Sequence, residues 1–127
     1  MKTLLLCSTL LACNAAIAAP DFDARITAAK AAVATRPGFI YDTAMVPAIH
    51  HALVPCVPKG NDPARGGDFV LVADVDRSGR ASNIDVRPAS PLARCFARTF
   101  AALTLRPPPL VPGQARYPVV VEMLTKP

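Results

Sequence analysis

Apolar and polar positions divide the chain into segments of different period. Residues 21–35, DFDARITAAKAAVAT, carry Phe22, Ile26 and Val33 as apolar anchors in an alanine-rich background. That spacing predicts a helix with a thin apolar stripe, stopped by Arg36-Pro37-Gly38. Asp42 is placed to cap a second helix over Thr43 to Leu53, irregular near Pro47. Val54-Pro55-Cys56-Val57-Pro58 reads as non-helical, and Lys59 to Gly67, polar with three glycines, reads as a loop. The period then changes. In Asp68 to Asp76, Phe69, Leu71, Ala73 and Val75 fall on one face and Val70 and Val72 on the other, the pattern of a strand buried along much of its length. Arg77-Ser78-Gly79-Arg80 predicts a turn, with Gly79 free to take a positive φ. Ala81 to Arg87 alternates again, so the two strands form a hairpin.

Ser90 is the expected cap of the next helix. Residues 92–103 place Leu92, Cys95, Phe96, Thr99, Phe100 and Leu103 on one face, with Arg94, Ala97, Arg98 and Ala101 outside. This is the clearest amphipathic pattern in the chain. Prolines 107–109 and Pro112-Gly113 make a stiff connection to a final β-branched segment, Arg116 to Leu124. Pro118 has no N–H, so this strand is expected at an edge, or with its ladder beginning after Pro118. The main body therefore reads strand, strand, helix, strand.

The amino terminus changes the picture of compartment. Lys2, the apolar run Leu4 to Ala12 and Ala16-Ile17-Ala18 have the anatomy of a cleavable signal peptide over residues 1–18. Pro20 favours a cut after Ala18 rather than Ala19, because its ring hinders an extended substrate backbone at the bond. Leu10-Leu11-Ala12-Cys13 offers a competing lipoprotein reading, with a lipid on Cys13 and a membrane-anchored product. Cleavage after Ala18 leaves 109 of the 127 residues, the size of one domain, with 13 basic residues against 9 acidic ones. Cys7 and Cys13 leave with the signal. Cys56 and Cys95 then have one pairing in an oxidising compartment, closing a loop worth about 4 kcal/mol on a chain-entropy argument.

Order and spacing together suggest a family. The hairpin FVLVADVDRSGRASNIDV is followed by the cysteine-bearing helix ARCFARTFAAL, the proline-rich exit LRPPPLVPG and the strand YPVVVEM. From about Val46 to Met123 the chain resembles the carboxy-terminal domain of TonB and stand-alone periplasmic domains similar to it. Variants with two cysteines place them as Cys56 and Cys95 lie here. The resemblance implies an α+β two-layer sandwich: a three-stranded antiparallel sheet (β-β-α-β) with one packed helix, preceded by N-terminal helices. It divides the chain into a signal peptide (1–18), an N-terminal helical segment (19–41) and the TonB-like domain (42–127). A membrane anchor and a long proline-rich spacer, which an energy transducer needs, are not read in these residues, so that role is not expected.

Chemistry-bearing residues point away from catalysis. His50 and His51 are adjacent on a helix, about 100° apart, and do not share a metal as histidines four apart do. Ser78, Ser82 and Ser90 stand in turn or cap contexts, and no Gly-x-Ser-x-Gly elbow is present. Asp74 and Asp76, two apart on one strand face, mimic a carboxylate pair but solvate a hairpin end in the simpler reading. Arg77, Arg80, Arg87, Arg94, Arg98, Arg106 and Arg116 make a basic surface. With two Tyr and five Phe spread along the whole chain there is no stacking platform for nucleic acid. The expectation is an exported binding module of the cell envelope, monomer or homodimer, with no enzymatic role, metal or cofactor. It would take an envelope protein or peptide as an added strand along Arg116 to Leu124, with Tyr117, Val119 and Val121 supplying selectivity. A small inhibitor of a secreted hydrolase, acting through the 59–67 or 106–115 loop, and a lipid-anchored envelope spacer are the alternatives.

Overall fold

The computed structural model describes residues 21–57 and 67–124. The signal segment, Cys13 and most of the 59–67 loop lie outside them. Three strands, β1 (Phe69–Asp76), β2 (Ala81–Arg87) and β3 (Arg116–Met123), form an antiparallel sheet in the order β2-β1-β3. The helices are α1 (Phe22–Val33), α2 (Arg36–Leu53) and α3 (Pro91–Ala101). The architecture is the expected α+β fold with a β-β-α-β body.

β1 is the centre. Phe69, Leu71, Ala73 and Val75 are buried on one face, packed with Phe96 and Phe100 of α3, Tyr41 and Met45 of α2, and Tyr117, Val119 and Val121 of β3. Phe69 and Phe96 stack at 5.5 Å between ring centres, as do Phe96 and Phe100 at 5.8 Å. On the reverse face Val72 is also fully buried, because α1 lies there. Lys30 of α1 pairs with Glu122 of β3 (2.8 Å), and Arg25 donates to the Asn83 carbonyl and approaches Asp74 (3.9 Å). The predicted stripe on α1 gains Ala29, wholly buried, whose small side chain lets the helix lie close to the sheet. The sheet thus carries helices on both faces, with the N-terminal helix forming a third layer.

Passage between the faces runs round the outer edge of β3, and here the structure corrects the sequence reading. The first helix does end just before Arg36-Pro37-Gly38, at Val33, but those residues also start the next helix. Thr35 is the N-cap, its hydroxyl accepting from the Gly38 N–H (3.1 Å). Pro37 sits in the first turn, where its missing N–H breaks no helical bond. Asp42 is therefore a mid-helix residue and not a cap, and α2 runs straight through the expected boundary between residues 41 and 42, with Tyr41 in the core. Pro47 is accommodated inside α2, and Val54–Cys56 adds a single 3₁₀ turn where no helix was expected, with Pro55 in its first turn. Gly38 has a steric role: a Cβ there would overlap the Ala32 carbonyl and stand 2.7 Å from the Tyr117 hydroxyl oxygen.

The hairpin closes as predicted. Gly79 has φ +85°, and Asp76 Oδ1 accepts from the Ser78 N–H (2.9 Å), the Ser78 hydroxyl (2.6 Å) and the Arg80 N–H (3.1 Å). Partway along, the register shifts between Val72 and Asp74, and Asn83 takes a positive φ of 50° at this β-bulge. Ser90 caps α3 through its hydroxyl (3.2 Å from the Ala93 N–H). The proline-rich exit is pinned twice: Leu105 N–H donates to the Gly79 carbonyl (2.9 Å), and the Tyr41 hydroxyl donates to the Arg106 carbonyl (2.9 Å).

Cys56 and Cys95 form a disulfide with their Cα atoms 5.7 Å apart. It ties the end of α2 to α3, beside the Thr99 hydroxyl that donates to the Ala52 carbonyl (2.6 Å). Cys56→Ser with Cys95→Ser is expected to lower unfolding free energy by about 3–4 kcal/mol, read as a drop in urea midpoint. Gly38→Ala is expected to destabilise by roughly 1–3 kcal/mol through overpacking. At Gly67 a Cβ would meet nothing within 4 Å but φ is +79°, so Gly67→Ala is expected to cost backbone strain alone, about 1–2 kcal/mol, whereas Gly38, inside a helix, tests steric overlap alone.

Candidate functional site

Being outermost in the sheet, β3 presents one edge with no strand beside it among the described residues. The ladder to β1 runs unbroken from Arg116↔Asp76 to Met123↔Phe69, passing through Pro118↔Asp74, which an outer strand permits. Among the described residues no backbone hydrogen bond joins β3 to α1 or α2. The other outer strand, β2, is less suited to pairing. Its bulge at Asn83 and its Asp85–Arg87 ion pair (3.3 Å) break the flat apolar edge that a partner needs.

The two halves of the β3 edge differ. At the first half the Gly38 backbone lies close to the Tyr117 hydroxyl, whose oxygen is 2.7 Å from where a Cβ would stand. The second half, Val120 to Met123, opens into a groove of about 430 Å³. Lys30 and Val33 of α1 form one wall; Asp42, Val46 and Ile49 of α2 form the other. Val46 is 57% exposed, an apolar side chain left facing solvent beside a strand edge. The Lys30–Glu122 pair rims the α1 side and is itself exposed, so it contributes little to stability.

Burial pushes the Asp42 carboxyl up from its ordinary value. The three ion pairs among the described residues use Asp74, Asp85 and Glu122, not Asp42. Behind it the Tyr117 hydroxyl is buried without a hydrogen-bond partner among the described residues. Its pKa is raised by burial first and by the Asp42 charge second. Tyr41, 5.3 Å from Tyr117 in an edge-to-face pair, is pushed up to about 12 by burial and then by Tyr117.

The predicted edge residues are divided by this geometry. Arg116 is exposed at the start of the strand. Tyr117, Val119 and Val121 point into the core at 5%, 3% and 6% exposure, so their side chains hold the fold and only their backbone belongs to the edge. The side chains beside the open edge are Val120, Glu122 and Met123. Lys30, Val46 and Ile49 have no role in the sequence reading, and Val33 figures there only as an apolar anchor of the first helix. A signal existed in α2, where residues 42, 46 and 49 form a stripe of helical spacing next to the buried stripe 38, 41, 45 and 52. Its relation to the buried positions 38 and 41 shows only when the helix is begun at Arg36.

Other chemistry-bearing residues have structural employment. Asp76 is held below its usual range, first by the Ser78 hydroxyl and then by the Arg80 N–H. Asp74 accepts from the Asn83 side-chain amide (2.8 Å). His50 and His51 are exposed at the end of α2, and the described residues contain no group of three or more His, Cys, Asp or Glu placed to hold a metal. No helix among them is long and apolar enough to cross a membrane. The seven arginines of the basic surface are exposed, with Arg87 lying over the Phe22 ring at 4.4 Å.

Because Asp42 binds its proton more tightly folded than unfolded, its contribution to stability is full below the ordinary value of 3.8 and falls as pH rises through the raised one. Asp42→Asn is therefore expected to raise the urea midpoint at pH 7, with the gain over the parent vanishing below pH 3.8. A gain independent of pH would contradict this origin. No protein-family model, curated protein or solved structure matches the chain.

Proposed function

We propose that this protein is an exported, non-enzymatic binding module of the bacterial cell envelope that takes an extended segment of an envelope protein as a fourth strand beside Val120–Met123. The observation that carries the reading is the groove itself: an outer strand whose edge is unpaired among the described residues, walled by Val33, Val46 and Ile49 with Lys30 and Asp42 from two helices. Four residues of strand extend over about 13 Å. Backbone bonds to so short an edge contribute about 1 kcal/mol each, which is weak alone. Contacts with Val33, Val46, Ile49 and Met123 supply the rest, and they select an apolar side chain at positions that face the α2 wall. The signal-like amino terminus, the disulfide and the TonB-like order of elements support the envelope address and the strand-addition mode.

Amide exchange tests the edge directly. In the isolated monomer, alternate amides within Val120–Met123 are expected to exchange fast, while their neighbours bonded to β1 are protected. A photo-crosslinking residue at position 46 is expected to join, in living cells, to an extended segment of one envelope protein. Val46→Lys would weaken that partner's binding roughly tenfold, the equivalent of one lost apolar contact, with the fold intact by circular dichroism. Uniform protection of all four amides in the monomer, or crosslinks to a folded surface unaffected by Val46→Lys, would sink the strand-addition reading.

A further inference from the structure

A second groove, separate from the β3 edge, lies between the first half of α2 and the proline-rich exit, with a volume of about 460 Å³, within the range of small-molecule sites. Ile40 and Tyr41 line it from α2 and Pro107 and Pro109 from the exit, and the exposed Arg36 and Arg106 border it as its rim. Ile40 is 57% exposed. The groove is preformed. Tyr41 is fixed at both ends, by its edge-to-face contact with Tyr117 and by the hydrogen bond from its hydroxyl to the Arg106 carbonyl (2.9 Å), while Pro108 is buried between the two wall prolines.

The polar inventory decides what fits. The Tyr41 hydroxyl is engaged by Arg106, and the wall prolines have no N–H. A peptide backbone laid here would find the rim guanidiniums and carbonyl acceptors but no N–H on the proline wall, so its own carbonyls along that wall would leave water unpaired, which is unfavourable. A hydrocarbon chain has none to satisfy. The two rim guanidiniums have no acidic partner among the described residues, since the ion pairs there use Arg25, Lys30 and Arg87. They are suited to an anionic head, and a planar carboxylate matches their forked donors. Arg36 to Ala44 spans about 12 Å of helix at 1.5 Å per residue, the reach of a medium-length acyl chain. We infer that this groove binds a free single-chain carboxylate amphiphile, a fatty acid of medium length, with its chain over Ile40 and its head between Arg36 and Arg106.

Titration of the purified protein with decanoate below its micelle concentration, followed by backbone NMR, tests this. Decanoate is expected to saturate and to shift Ile40 and Tyr41 amides. Decanol and acetate, which each lack one half of the ligand, are expected to bind at least roughly tenfold more weakly, the worth of one charge-assisted bond. The double variant R36Q/R106Q is expected to lose a similar factor for decanoate and nothing for decanol, and Ile40→Asn to weaken both. Thermal unfolding of each variant checks that the fold is kept. Equal binding of decanol and decanoate, an R36Q/R106Q variant that binds decanoate as the parent does, shifts confined to other elements, or binding to anionic phospholipid vesicles without any to free decanoate would each overturn the inference.

Discussion

The structure turns on the burial of β1 from both sides. Leu71 and Val75 on one face and Val72 on the other are shut off from water, and neither face is covered by the hairpin that forms β1 and β2. The cover comes from helices at opposite ends of the body: α3 follows the hairpin, while α1 and α2 precede it. A chain that supplies cover to both faces must cross an edge of the sheet. It crosses at β3, through a corner four residues long. Gly38 permits this by letting the first turn of α2 sit on the last turn of α1 with no side chain between them. The disulfide and the Thr99–Ala52 hydrogen bond then fix the far end of α2 to α3. Held at both ends, α2 has one side against the core and two flanks against grooves.

Much of this was legible in the sequence because local rules and global packing agreed. The hairpin, its Gly79 turn, the Ser90 cap and the stripe of Phe96 and Phe100 each follow from spacing within about ten residues. The pairing of the two cysteines, 39 residues apart, follows instead from their number once the amino-terminal pair is set aside. The misread corner has an equally local cause. Arg36-Pro37-Gly38 satisfies the signals for a helix end and for a helix start, and sequence spacing does not choose between them. The choice was made by Thr35, a good N-cap, and by the absence of any room for a residue other than glycine at position 38. That last constraint involves Tyr117, almost eighty residues away, and no local pattern carries it.

The candidate edge was half legible for a related reason. β-branched composition and Pro118 marked residues 116–124 as an outer strand, which they are. Alternation alone left both faces open, so the side chains chosen as selective, Tyr117, Val119 and Val121, were those that the core claims. The groove walls come from α1 and α2, and their arrangement depends on the crossing at the corner. Acidic and hydroxyl side chains that invite a catalytic reading are likewise absorbed locally. Asp76 gathers three donors of its own turn, and Asp74 braces the bulge, leaving Asp42 as the half-buried carboxylate whose surroundings inside the fold do not balance its charge.

Both grooves share α2, and this raises the question whether they communicate. Coupling needs an element with two arrangements that the two ligands favour unequally. α2 is poorly built for that. Its start is locked by backbone contact at Gly38, its middle by the Tyr41–Tyr117 pair and the Tyr41–Arg106 hydrogen bond, and its end by the disulfide. A shift large enough to alter one groove would break at least one of these. The side chains that face the two grooves also leave α2 in different directions: Asp42, Val46 and Ile49 toward the β3 edge, Ile40 and Ala44 toward the proline-rich exit. The physical expectation is two independent sites on one rigid helix, in which occupancy of the exit groove changes the surface beside the edge but not the geometry of the edge itself.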